Sequence, residues 1–188
     1  MKLRGLFLTG LLPVVLAAAP ASLVIDSAQS RVEVVVEATV DSFTGKLNAY
    51  KADITVDEGR ITAATFNFRF ADVHTGKDGR DESMHEWQDT PKHPNGTFTL
   101  HSLDPISGDR FTAHGTLVFH DITREIAFPV VVMTDRKIYS IDGTAPFDTR
   151  DFGLPVIHKF GLLRVDPVVT VRFHLQGSAR TLVAHAST

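Results

Sequence analysis

The chain has 188 residues, of which 43% are hydrophobic and 22% charged, with a formal net charge of −3 and no cysteine. The acidic balance argues against nucleic acid as a partner, which would call for a basic surface. Without cysteine there is no disulfide scaffold and no lipoprotein anchor on an N-terminal cysteine.

The first 21 residues read as a secretory signal peptide. Lys2 and Arg4 give a basic start, Leu6 to Ala18 is an apolar run of 13 residues, and Ala19-Pro20-Ala21 is a small-x-small signal that predicts cleavage before Ser22. The run is too short for a spanning helix, which needs roughly 20 apolar residues. The remainder, 22–188, is one domain of 167 residues with 17 basic against 22 acidic side chains, a net charge of −5. Export without disulfides fits a bacterial periplasm.

The mature chain is a succession of strands with a period of two. Val32, Val34 and Val36 alternate with Glu33 and Glu37. A strand from Ala49 to Val56 follows the turn at Gly45, and Ile61 to Ala71 sets Phe66, Phe68 and Phe70 on one face. A polar connection, Thr75 to Met84, leads into one short helix over Asp81 to Gln88. Asp78 or Asp81 is expected to cap that helix, and Pro91 to stop it.

Next, Phe98 and Leu100 alternate with threonine and histidine up to Leu103. A turn at Asp104–Gly108 leads to Phe111, Ala113, Gly115, Leu117 and Phe119 on one face. Phe128, Val130 and Val132, a strand from Lys137 to Thr144, a short helix near Leu154–Phe160, and Val169, Val171, Phe173 and Leu175 complete the pattern. Turns about every 8–12 residues suggest a sandwich or a barrel. The even up-and-down rhythm favours a barrel of about eight strands, since closure leaves no exposed edge. The inward sets are apolar, so they form either a packed core or the wall of a cavity for an apolar ligand.

Two Arg-Asp pairs stand beside glycine, Arg80-Asp81 and Arg150-Asp151. They are expected at the barrel mouth, pinning loops across one another or contacting a head group. His101, His114 and His120 fall on the polar face of one hairpin, where His101 should lie near Thr112 and diagonal to His114. His74, His85 and His93 flank the helix. None of these forms a compact metal-ligand motif. No nucleophile elbow, phosphate-cradling loop or paired carboxylates point to an enzyme.

Taken in order, Ile25-Asp26, Ser30-Arg31-Val32, Phe43-Thr44-Gly45, Thr75-Gly76, Arg80-Asp81, Met84, Pro94 and Phe98 resemble the YceI-like family. So do Gly115 to His120, Thr123-Arg124, Phe128-Pro129-Val130, Arg150-Asp151-Phe152-Gly153 and Val169 to Leu175. Asp121, where that family tends to carry glycine, and His93, in place of an aromatic residue, depart from it. The stretch His85 to Pro94 is where ligand choice is expected to be set.

The resemblance implies an exported, lipocalin-like, antiparallel barrel that binds a polyisoprenoid lipid, a polyprenyl phosphate or an isoprenoid quinone, and needs no cofactor beyond it. It implies an apolar tunnel formed by Val34, Val36, Phe43, Phe66, Phe68, Phe98, Leu100, Leu117, Phe119, Phe128, Val130, Phe152, Val171 and Phe173. Arg80, Asp81, Met84, His85, Trp87, Arg150 and Asp151 would stand at the mouth. A monomer or homodimer in transient contact with a membrane or membrane protein is the expected form. A histidine-based metal or haem accessory, or a stress-response interaction module, are the alternatives.

Overall fold

In the computed structural model, residues 19–39, 41–159 and 163–181 are described. The signal-peptide reading therefore falls, but for its last residues, outside them. The strands are β1 (Ala21–Ile25), β2 (Arg31–Ala38), β3 (Phe43–Leu47), β4 (Tyr50–Asp57), β5 (Arg60–Arg69) and β6 (Val73–His74). They continue as β7 (Asn95–Ser107), β8 (Arg110–Phe119), β9 (Ile122–Asp135), β10 (Ile138–Asp148), β11 (His158–Lys159) and β12 (Leu163–Thr181). One helix, α1 (Asp78–Gln88), joins β6 to β7, and 3-10 turns cover Phe70–Asp72 and Thr149–Phe152.

These pieces make a closed antiparallel barrel of eight strands. Three of the eight are bent in the middle, so each counts as two elements. Along one edge of β12, β2 pairs up to His174↔Arg31 and β1 takes over from Gly177↔Ile25. On the next strand β3 pairs β2 while β4 pairs β1, and β5 with β6 repeats the division. The break between β1 and β2 is held by Ser30, whose hydroxyl donates to the Asp26 carbonyl at 2.7 Å and accepts from Gln176 N at 3.0 Å. From β7 to β10 each strand pairs its successor, and β10 pairs β12.

The hairpin turns at Glu58-Gly59, His120-Asp121 and Arg136-Lys137 have positive φ at both central residues. That is the type I′ geometry whose twist matches the flanking strands. Asp121 replaces the expected glycine at a φ of 58°, a conformation aspartate tolerates better than most residues.

Three expectations are corrected. First, α1 begins at Asp78 rather than Asp81. Lys77 stands at the N-cap without a side-chain bond, and the Asp81 carboxylate is committed to Thr75. Second, β7 runs through the expected turn as far as Ser107. Pro105, which has no N–H to give, is accommodated beside an irregularity in register, and a second bulge leaves His101 unpaired between Leu100↔Gly115 and Ser102↔His114, its ring bonded to the Thr116 hydroxyl instead of lying near Thr112. Third, no helix forms over the described part of Leu154–Phe160. The turn comes earlier, at Thr149–Phe152, with Asp148 capping it by accepting from Arg150 N and Gly153 ending it at a φ of 76°.

Apolar side chains pack the barrel end formed by the β4–β5 and β9–β10 turns. There Leu23, Val56 and Tyr139 are 5% or less exposed, and the Tyr139 hydroxyl donates to the Gly59 carbonyl. A second packed group, Leu117, Phe119, Phe152 and Leu154, lies toward the opposite end. Between them the barrel is hollow.

Candidate functional site

The hollow is a cavity of about 920 Å³ running along the barrel axis. Its wall comes from the alternation of the strands. Val34 and Val36 of β2, Phe43 of β3, Phe66 and Phe68 of β5, and Phe98 and Leu100 of β7 all face it. So do Leu117 and Phe119 of β8, Phe128 and Val130 of β9, and Val171 and Phe173 of β12. Phe152 does not. It is 1% exposed and packs edge-on to Phe119 and Phe147 behind the wall, because the 3-10 turn carries it out of strand periodicity. Phe147, in the part of β10 that runs on past the expected end at Thr144, lines the cavity instead, as do Ile54, Ile141 and Ala145.

α1 lies across the end opposite the β4–β5 and β9–β10 turns, with Trp87 against the second packed group. Arg80, Ser83, Met84 and Trp87, spaced by three or four residues, turn toward the cavity. The helix is anchored on both sides. Arg80 Nη2 donates to Asp41 Oδ2 at 2.8 Å, with the guanidinium 4.3 Å above the Phe43 ring, and Lys77 Nζ lies 3.7 Å from the same carboxylate oxygen. On the far side Trp87 Nε1 donates to the Pro155 carbonyl at 2.8 Å.

The other expected mouth residues serve the frame. The Asp81 carboxylate accepts from Thr75 N at 2.9 Å and from its hydroxyl at 2.6 Å, with His74 Nδ1 3.7 Å away. Burial pushes the Asp81 carboxyl up, but the Thr75 bonds and the nearby histidines outweigh it and hold the group below its ordinary value. His85 bonds the Thr90 hydroxyl, which donates its own proton to Gln88 Oε1, so His85 Nδ1 is the donor. Gln88, fully buried, also donates to the His93 carbonyl at 2.7 Å.

Arg150 does not cross to the Arg80-Asp81 segment. Its fork closes on Asp148, two residues back, and the guanidinium bonds hold the Asp148 carboxyl below its usual range. Asp151 is exposed. Neither Arg150 nor Asp151 lines the cavity. Of the stretch His85–Pro94, Glu86 and Trp87 reach the cavity wall.

Among the described side chains the histidines are spread apart, each with one or two partners. His114 lies 3.2 Å from Asp104, His174 2.8 Å from Asp142, and His93 2.5 Å from Asp121 with its ring against His120. His120 Nδ1 donates to the Phe152 carbonyl at 3.0 Å. Among the described residues no three histidine or carboxylate side chains converge as a metal site, and no helix is long and apolar enough to cross a membrane.

Fold and cavity together define a closed, lipocalin-like barrel with a hollow apolar axis and a helix over one end. The YceI-like domain model matches residues 23–177, and the chain belongs to that family. BcnA of Burkholderia cenocepacia is 20% identical with a TM-score of 0.72, over 81% of this chain and 98% of that one. The YCEI protein of Campylobacter jejuni is 16% identical with a TM-score of 0.67, over 76% and 88%. A polyisoprenoid-binding domain from Saccharophagus degradans, implicated in plant cell wall breakdown, is 16% identical with a TM-score of 0.62, over 87% and 99%. No curated protein sequence matches the chain.

Proposed function

We propose that this protein holds one long isoprenoid lipid inside the barrel, its chain along the axis and a neutral head group, such as a quinone, beneath α1. The observation that carries this reading is the continuous apolar cavity of about 920 Å³. At about 30 Å³ per water-sized group, that is room for roughly 30 non-hydrogen atoms, or about six isoprenoid repeats. Each methylene moved from water into such a lining contributes about 0.8 kcal/mol, so a few repeats suffice for tight binding.

The polar groups on the wall gather at the covered end, where a head group would stand. Among the described lining residues, Asp41, Glu86 and Asp166 face it alongside one cation, Arg80, already engaged by Asp41, which Lys77 also approaches from outside the wall. Among these described lining residues an anionic phosphate would meet more negative than positive charge, which supports a neutral head. Binding and carriage, rather than catalysis, is the role this wall fits. Carriage would take place in the periplasm, with loading through brief contact with a membrane or membrane protein. Cleavage before Ser22 would remove one residue of β1 and keep its pairs from Ser22↔Arg180 onward.

Native mass spectrometry and solvent extraction of the untagged full chain, expressed in a bacterium, test the reading. A co-purifying isoprenoid quinone is expected. Protein that comes out empty, and that takes up neither an isoprenoid quinone nor an isoprenoid alcohol when offered them, would overturn it.

A further inference from the structure

Three phenylalanines that face the cavity lie flat on glycines of neighbouring strands. Phe68 is the registered partner of Gly96, Phe173 is the registered partner of Gly143, and Phe98 leans diagonally over Gly115. A Cβ on Gly143 would overlap Cζ of Phe173 and stand 2.6 Å and 2.8 Å from its Cε atoms. A Cβ on Gly96 would overlap Cζ and Cε1 of Phe68 and stand 2.9 Å from Cε2. At Gly115 the Phe98 ring is as near, but the Thr99 carbonyl also fills the space, so that position is constrained by backbone as well.

None of these glycines has a positive φ. Gly96 and Gly143 occupy ordinary strand positions, where glycine weakens a strand and the backbone itself would accept a side chain. The missing Cβ is therefore accounted for by the ring above it, the arrangement by which an aromatic residue covers a strand glycine. A phenyl ring has few staggered alternatives. One displaced from the wall at these inward-facing positions must turn toward the barrel axis.

We propose that Gly96 and Gly143 set the length of chain this cavity accepts, by letting the Phe68 and Phe173 rings fold out of the lumen. This rests on the reading that an isoprenoid chain occupies the barrel. Each six-carbon ring is close in size to one five-carbon isoprenoid repeat. Adding a methyl at either glycine should thus cost the cavity about one repeat. The two pairs act on different strands and at different levels, so their effects should accumulate.

The test offers delipidated full-length protein an equimolar mixture of all-trans isoprenoid alcohols that bracket the cavity's capacity repeat by repeat, from geranylgeraniol upward to solanesol, and reads the retained alcohols by native mass spectrometry. Gly96→Ala and Gly143→Ala should each shift retention toward a shorter alcohol. Affinity for the longest alcohol kept by the unmodified protein should fall at least about tenfold, equivalent to losing contact for roughly two methylenes. Gly143→Ala combined with Phe173→Leu should restore the long alcohol. Phe68→Leu and Phe173→Leu alone, which add nothing at the glycine, should lengthen the preferred chain, and they keep the test open if an alanine variant fails to fold. Glycine variants that fold with unchanged selectivity would overturn the proposal. So would a double variant as restricted as Gly143→Ala alone, or phenylalanine variants with unchanged selectivity. Unmodified protein that retains none of the alcohols would overturn the underlying isoprenoid reading instead.

Discussion

The Trp87→Phe variant should loosen α1 without emptying the barrel wall. The helix is polar, and Gln88 is its only fully buried residue. Its hold on the barrel comes from the Arg80–Asp41 pair, from Met84 packed on the core, and from the Trp87–Pro155 bond. Phenylalanine keeps an aromatic ring against the cavity, removes the N–H donor and gives up part of the indole's packing surface, so the hydrogen-bond loss is a minimum. A neutral hydrogen bond of this kind contributes about 0.5–1.5 kcal/mol. Because Pro155 is exposed, its carbonyl can turn to water, so the lower half of that range applies. A loss of about 0.5–1 kcal/mol raises the open population of α1 roughly two- to fivefold by the relation between free energy and equilibrium constant. Amide hydrogen exchange reads this directly. Protection of the α1 amides should fall by at least that factor, while β8 and β9, across the barrel, keep theirs. Unchanged α1 protection, or an equal loss in β8 and β9, would refute the idea that this bond latches the helix locally.

Phe152→Ala should cost about 3–5 kcal/mol in a denaturant titration, the usual loss for a buried ring, because Phe152 is packed behind the wall against Phe119 and Phe147. Gln88→Ala should cost about 1–3 kcal/mol, since it strands the half-buried partners of both amide ends and leaves a hole where Gln88 was fully buried; a change near zero would show that water replaces them. Acid should destabilise the fold through Asp81 and Asp148, whose carboxyls sit below their ordinary values when folded. Their contribution is complete above the unfolded value near about pH 4 and is lost as pH falls through the lower folded values. Thermal melts between neutral pH and about pH 3 should therefore show a steeper decline in the parent than in an Asp81→Asn, Asp148→Asn double variant, which starts lower and varies less.

Most of the wall was legible in the sequence because a strand in a barrel has one decision to make at each residue, inward or outward. Val34, Phe98, Leu117, Phe128 and Val171 follow that rule, and all face the cavity. The ends of the barrel obey no such period. Arg150 looked like a partner for the distant Arg80 segment, yet Asp148 stands two residues away and caps the same turn. Phe152 looked like wall and is not, because a 3-10 turn breaks the alternation just before it. His101 stands in a bulge, and its hairpin turns after Ser107 rather than from Asp104, neither of which alternation alone reveals. The glycines beneath Phe68 and Phe173 carry a signal of their own, being strand-interior glycines with no turn to explain them.

A photoreactive isoprenoid, crosslinked to the protein in solution and mapped by peptide mass spectrometry, tests the central claim most directly. Labels should fall on inward residues of the barrel such as Phe128, Ala145 and Val171, and on Met84 or Trp87 of the covering helix. Labels confined to exposed outer residues such as Ile106, Met133 and Val168 would contradict it.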